Sequence, residues 1–364
     1  MAKRHALHSI CPYFAMFPED FVERHVTAHT DANDLVFDPF SGRGTTVFQS
    51  VLLDRRAAGV DINPVAACVS KAKADAPGLL EVLARINELE ESFKDQKAEG
   101  ISEFFEACFH FRTMNQILHV RQELKWTSNR IDCFIAAMSL GALHGESHRS
   151  ELYFSNRMPR TISTKPEYSL RWWKTRGLVA PERNVFSILR KLARFRLADA
   201  LPTRKGSVYL SDARASSVIL SHLQGQVKLV VTSPPYVDVT DYAEDQWLRL
   251  WFLGGEPRPQ TRLFPDDRHA TPDNYWQFLT EVWAGIEPMM EAVATIVVRI
   301  GGKLSQEQLS NGLQKTLRLG MVNSTIVMRS NIQTSSLSKR QTNTFRPGTI
   351  AGVEHDFIFE VRRA

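Results

Sequence analysis

The sequence predicts an α/β protein of the doubly wound class, with about seven mostly parallel strands interrupted by a helical, basic insertion. Three observations predict it. A short apolar run, Asp34-Leu-Val-Phe37, ends at a glycine-bearing turn and leads into a helical stretch, a second short run and an acid. Strand, turn, helix, strand and acid in that order make a βαβ unit. Short β-branched runs of the kind that fill a buried parallel sheet return only after residue 205. Between these regions the pattern is mostly helical and carries an excess of positive charge.

Taken in order, the turn Asp38-Pro-Phe-Ser-Gly-Arg-Gly-Thr-Thr46 closes the first strand, and Val47 to Leu53 forms the helix behind it. Ala57 to Val60 is the second strand and ends in Asp61. From Pro64 to Ala200 the chain reads as helical, apart from a Pro-, Arg- and Trp-rich loop from Arg157 to Pro181. Strands resume at Ser207–Leu210, Val227–Val231 and Ala294–Ile300. Gln306 to Leu319 places Leu309, Leu313 and Leu317 on one helical face, with Gly320 as C-cap. Thr325–Met328 and Asp356–Glu360 close the sheet as an antiparallel pair, and Ser330 to Arg346 reads as an exposed loop. The expected organisation is 1–75 and 206–364 as two parts of one domain, with 76–205 inserted between them.

Composition bounds the function. The 364 residues are 43% apolar and 23% charged, ordinary values for a globular chain. No apolar run reaches the roughly 18–20 residues that span a bilayer; Ile131 to Leu143 is short and broken by Asp132. No apolar stretch follows the basic N-terminal residues, so no export signal is expected. Four scattered cysteines without a Cys-x-x-Cys pair argue against zinc or disulfides and fit a reducing cytoplasm. Net charge is only +5, but His110 to Lys205 holds 18 Lys and Arg against 7 Asp and Glu. Such a segment fits a polyanionic partner, most often nucleic acid, or else a solvated basic face.

Two segments carry chemistry. Gly42 and Gly44, at the carboxyl end of the first strand, let backbone approach a ligand, and the helix start behind them favours negative charge. Asp61, 23 residues after Asp38, stands where an acid accepts from ribose hydroxyls. The third glycine of the dinucleotide fingerprint is absent, and Val47 falls in its place. The second segment, Thr232-Ser-Pro-Pro-Tyr236, follows the apolar Leu229-Val-Val231. Its prolines fix φ and remove two donors. The Ser233 hydroxyl and a neighbouring carbonyl then make an acceptor pair suited to an amino group, with the flat ring of Tyr236 beside it.

Together the two segments resemble the S-adenosylmethionine-dependent DNA amino-methyltransferases, the N4-cytosine and N6-adenine enzymes of restriction–modification systems. Pro12 to Pro18, Gly59 to Pro64 and Tyr209 to Arg214 agree with further motifs of that family. The resemblance covers roughly 7–75 and 205–300, plus the strand near His355, and is much weaker over 76–200. It implies a Rossmann-like methyltransferase fold. It also implies S-adenosyl-L-methionine as cofactor, held by Phe17, Asp38, Phe40, Gly42, Gly44, Thr45, Thr46, Asp61, Ile62, Asp212 and Ala213. Asp61 would take the ribose hydroxyls and Asp212 the adenine amine. Ser233, Pro234 and Tyr236 would hold and activate the target base, and no metal is implied. Ser at the first position of that motif is typical of N4-cytosine enzymes and Asp of N6-adenine enzymes.

The expected reaction is methylation of the exocyclic N4 amine of a flipped cytosine in double-stranded DNA. N6-adenine methylation is the alternative, and RNA guanine-N2 methylation a more distant one. No Pro-Cys pair is present to support carbon-5 methylation. Phosphate contacts are expected from Arg157, Arg160, Lys165, Arg171, Lys174 and Arg176, with Trp172 and Trp173 among them. The loop with Asp238, Asp241, Tyr242 and Asp245 is expected to cover the flipped base, and Arg43 to point to solvent. A cognate restriction endonuclease and a homodimer are both compatible with the resemblance; a membrane is not.

Overall fold

The computed structural model describes residues 4–13, 18–96, 100–145, 151–158, 165–236, 246–260, 272–301, 304–336 and 353–364. The chain begins with α1 (Glu19–His29), β1 (Leu35–Asp38), α2 (Thr45–Leu52), β2 (Arg56–Asp61) and α3 (Pro64–Ala74). Six helices follow: α4 (Leu79–Ser92), α5 (Glu103–Cys108), α6 (Phe111–Glu123), α7 (Arg130–Ala142), α8 (Pro166–Lys174) and α9 (Val185–Arg196). Then come β3 (Ser207–Leu210), α10 (Ser216–Ile219), β4 (Val227–Thr232), α11 (Trp247–Phe252) and α12 (Pro272–Ile286). The chain ends with β5 (Met290–Gly301), α13 (Gln306–Gly320), β6 (Ser324–Ser336) and β7 (Val353–Arg363). These elements form two compact units: a sheet unit of 13–70, 202–240 and 265–364, and a helical unit of 1–12, 71–201 and 241–264.

The sheet is Rossmann-like, with seven strands in the order β3-β2-β1-β4-β5-β7-β6. The first five pair in parallel, and β7 lies antiparallel between β5 and β6. The order in which the chain adds strands reverses between β1 and β4, the kind of switch point whose carboxyl end forms the ligand crevice of open α/β sheets. Alternating residues fill the two faces. Phe37, Val230, Ile296, Phe357 and Phe359 pack with Trp283 of α12 and Leu313 of α13. Val36, Leu229, Val231 and Val297 pack with Phe21, Val22 and Val26 of α1. On that second face Arg299 and Asp356 form a bidentate pair, 2.6 and 2.7 Å, with the guanidinium 3.8 Å above the Phe21 ring.

Three details depart from the sequence pattern. Gly320 is not a cap in left-handed conformation; helix α13 runs through it, and Met321 follows as the C-cap. A Cβ there would lie 2.4 Å from the Thr280 carbonyl oxygen and 2.8 Å from Trp283 Cβ, so the glycine permits close packing on α12. Residues 330–336 are strand rather than loop, because β6 continues along β7 past a register shift between Arg329 and Gln333. Backbone pairing at a sheet edge does not require apolar side chains. Helix α12, which supplies Tyr275, Leu279 and Trp283 to the core, was not assigned from sequence.

The helical unit is built on aromatic packing. Phe105 meets Trp251 at 4.5 Å between ring centroids, and Phe104 meets Trp247 at 4.9 Å. The Asn129 side chain caps α7, accepting from the amides of Ile131 and Asp132. Asp132 is buried and accepts from Arg85 Nε at 2.9 Å and the Lys125 amide at 2.9 Å. On α9, Val185, Phe186, Ile188, Leu189, Leu192 and Ala193 turn inward while Lys191 and Arg194 are exposed. Among the described residues no helix is long and apolar enough to cross a membrane.

Candidate active site at the switch point of the sheet

The crevice between β1 and β4 begins with a tight turn. Gly42 and Gly44 both adopt positive φ, 51° and 72°, a region that costs other residues roughly 1–2 kcal/mol. Gly44 is doubly constrained, since a Cβ would sit 2.3 Å from Ser70 Oγ on α3. The turn is held from below as well. The Gly42 amide donates to Asp61 Oδ2 at 2.8 Å, and the Ser41 amide donates to the Val60 carbonyl at 3.0 Å. Phe40 packs against Phe278 with ring centroids 5.8 Å apart.

Several expected site residues are occupied by the fold itself. Thr46 is buried and its hydroxyl donates to the Val231 carbonyl at 3.0 Å, tying α2 to β4. Thr45 Oγ1 accepts from Arg43 Nε at 3.3 Å. Arg43 does not point to solvent: it is only 7% exposed and pairs with Glu19 at 2.9 Å. The acidic first turn of α1 neutralises it there, a partner that lies 24 residues away in sequence.

Three carboxyl groups line the strand ends, and their surroundings differ. Asp38 is 0% exposed. Its Oδ1 accepts from Thr232 Oγ1 at 2.7 Å and the Phe40 amide at 3.0 Å, while Oδ2 has no hydrogen-bond partner among the described residues. Burial pushes its carboxyl up to about 6, against the lowering effect of those donors. Asp61 is partly buried and accepts from the amides of Gly42 and Asn63. Burial pushes it up to about 7, and nearby Asp38 adds to the rise. At Asp212 burial works in the same direction but is outweighed by Arg214, whose guanidinium and amide hold the carboxyl below its usual value. Arg214 also reaches Glu281 at 3.1 Å. Ile62 is 38% exposed at the end of β2, whereas Ala213 is buried against the core.

The segment Ser233-Pro-Pro-Tyr236 leaves β4 directly after Thr232, beside Asp38. Ser233 is partly exposed and Pro234 buried. Tyr236 packs its ring against the core and donates its hydroxyl to Glu354 Oε1 at 2.7 Å. Glu354, at the start of β7, was not singled out from sequence. A lone acid before an apolar strand carries no local signal of what it meets.

The expected phosphate contacts lie in the helical unit. Arg157, Lys165, Arg171, Lys174 and Arg176 are exposed. Lys174 pairs with Glu103, and the Arg176 guanidinium stacks 4.5 Å above the Trp172 ring. Trp173 is core, its Nε1 donating to the Arg157 carbonyl at 2.7 Å. Phe17, Arg160, Asp238, Asp241, Tyr242 and Asp245 lie outside the described residues. Among the described residues no cluster of His, Cys, Asp and Glu could hold a metal.

A family profile described as a DNA methylase, of the N6/N4 type, matches residues 3–71, the stretch that holds the glycine turn and Asp61. Over those residues the chain is similar to the N6/N4 DNA methylases. Within a similar stretch it is 33% identical over 67 residues to the type II methyltransferase M.MjaII of Methanocaldococcus jannaschii. It is 41% identical over 49 residues to the orphan methyltransferase M.BamHII of Bacillus amyloliquefaciens. These matches take up 18% and 14% of this chain and span only 13% and 18% of the two relatives. Among solved structures, an rRNA methyltransferase, AviRa of Streptomyces viridochromogenes, aligns with a TM-score of 0.36 at 12% identity, covering 99% of this chain and 90% of that one. The matched segment carries groups suited to a cationic, ribose-bearing cofactor. Asp38 Oδ2 is a buried acceptor without a cation, and Asp61 is a partly open carboxyl at the next strand end. S-adenosylmethionine has both a positive sulfonium and a ribose, so the residues present fit it.

Proposed function

We propose that the chain is a DNA methyltransferase acting on the exocyclic N4 amine of cytosine, with S-adenosylmethionine as methyl donor. The observation that carries this reading is the hydrogen bond from Thr232 to Asp38, 2.7 Å, at adjacent strand ends. It holds the segment suited to an amine and the segment suited to the cofactor on either side of one crevice. Asp38, Gly42, Gly44 and Asp61 would hold the cofactor, with Asp212 toward its adenine. When bound, that cofactor supplies an electrophilic methyl.

The chain's own residues do the rest. An exocyclic amine is a poor nucleophile because its lone pair is delocalised into the ring. Ser233 Oγ and the Pro234 carbonyl accept its two N–H groups, which favours a pyramidal nitrogen with its lone pair free. Tyr236 offers a ring face to the base, and the rate depends on positioning. A base in a duplex must leave the stack, at about a few kcal/mol, which contacts from the exposed Arg and Lys of 157–176 would offset.

Nucleoside mass spectrometry of unmodified duplex DNA treated with the chain and S-adenosylmethionine tests the reading. N4-methylcytosine is the expected product. N6-methyladenine would keep the reaction and overturn the base, and no methylated base at all would overturn the function. Ser233→Ala should lose most methyl transfer with cofactor affinity intact; full activity in that variant would remove the role given to Ser233.

A further inference from the structure

Tyr236 reaches 118 residues along the chain for its hydroxyl partner. On β7 Glu354 lies on the same face as Asp356, two residues on, which Arg299 pairs. Glu354 is buried, at 1% exposure, and the Tyr236 hydroxyl donates to its Oε1. A buried acid destabilises relative to an apolar residue unless its contacts repay the lost hydration. Because β7 runs antiparallel to β5, its first residues lie at the carboxyl edge of the parallel strands, with Glu354 opposite Gly301. That is the edge from which the Ser233–Tyr236 segment departs.

The segment is thereby tied at both ends. Thr232 Oγ1 is bonded to Asp38 at one end and Tyr236 to Glu354 at the other. Between them Pro234 and Pro235 have φ already fixed. We propose that Glu354 is a positioning residue: through the Tyr236 hydroxyl it sets the aim of Ser233 Oγ and the Pro234 carbonyl. This deepens the amine-methylating reading and rests on it for its catalytic consequence.

The test uses the full chain with Glu354→Ala, Glu354→Gln, Tyr236→Phe and the double variant Glu354→Ala/Tyr236→Phe. Methyl transfer to unmodified mixed-sequence duplex DNA is measured with the KM for S-adenosylmethionine. Glu354→Ala and Tyr236→Phe should each lower kcat by about 10- to 100-fold with the cofactor KM unchanged. The double variant should lose no more than either alone, since both remove one bond. Glu354→Gln keeps an acceptor and should stay within about threefold of the parent. Hydrogen exchange on a peptide covering 229–236 is a second measurement that needs no activity. It should quicken by about tenfold in Glu354→Ala and Tyr236→Phe and not in Glu354→Gln. Unchanged exchange in Glu354→Ala, or Tyr236→Phe matching the parent while Glu354→Ala fails, overturns the proposal. If the parent chain transfers no methyl group, the functional reading falls, and exchange still decides the positional one.

Discussion

Asp38 in the sheet unit and Asp132 in the helical unit are both shut away from water. Asp132 has a cation: Arg85 lies 2.9 Å away, and the Lys125 amide completes its shell. Asp38 has only neutral donors, and among the described residues no Lys, Arg or His pairs with it. The sheet unit pairs one buried acid with a cation, as Arg299 does for Asp356, and meets another, Glu287, with neutral donors to both of its oxygens. A buried carboxyl answered within its own unit is architecture. One oxygen of Asp38 is left without a partner among the described residues, at the switch point of the sheet, and under the proposed function the cofactor's positive sulfonium would lie near it.

The comparison predicts opposite signs for similar substitutions. Asp132→Ala should destabilise the chain by about 1–3 kcal/mol, because the Lys125 amide loses its acceptor while Arg85 retains Glu88 and the Glu123 carbonyl. Calorimetric melting at pH 7 would show it, and an unchanged melting temperature would mean that the Lys125 amide finds another acceptor. Asp38→Asn should instead stabilise the chain at pH 7, by up to about 3 kcal/mol. The Asp38 carboxyl titrates near 6 when folded, above its ordinary 3.8. Its protonated form therefore supports the fold in full below about pH 4, and that support is lost as pH rises through about 6. The gain in Asp38→Asn should accordingly fade as melting is repeated toward pH 4. A destabilised Asp38→Asn at pH 7 would break the comparison.

A cationic cofactor favours ionised Asp38 and Asp61, whose carboxyls are pushed up to about 6 and about 7. Titration calorimetry should thus find S-adenosylmethionine binding about tenfold tighter at pH 8 than at pH 5. Asp38→Asn should flatten that dependence. The smallest effect is expected on the surface of the helical unit. Lys174 and Glu103 form an exposed pair, so Lys174→Ala should leave melting unchanged. DNA affinity should fall by about two- to threefold, with a shallower salt dependence. An equal loss of affinity for substitutions on all faces of the unit would argue against a defined DNA-binding surface.

Most of the sheet was legible in the amino-acid sequence because its signals are local. Strands β1 to β4 are short, mostly apolar runs between turn residues, β5 holds the β-branched stretch Thr295–Val298, and the antiparallel closing pair was legible from similar runs. The glycine turn and Asp38, Asp61 and Ser233 lie in contiguous segments whose residue types already state their chemistry. Helix α12 carried a weaker signal, and the reach of β6 to Ser336 depends on what β7 offers along its edge.

What local pattern could not reach were the partnerships between distant segments. Glu19 draws Arg43 inward, Glu354 takes the Tyr236 hydroxyl, and Glu281 pairs with Arg214. Trp172 and Trp173 are adjacent in sequence, yet one carries a stacked arginine and the other is core. The β-branched runs and glycine turn declared the sheet and its binding edge, since strand formation and a left-handed turn depend on neighbouring residues. Which polar groups at that edge remain unanswered was decided by folding, because a buried charge is settled by whichever partner the packed chain brings within about 3 Å.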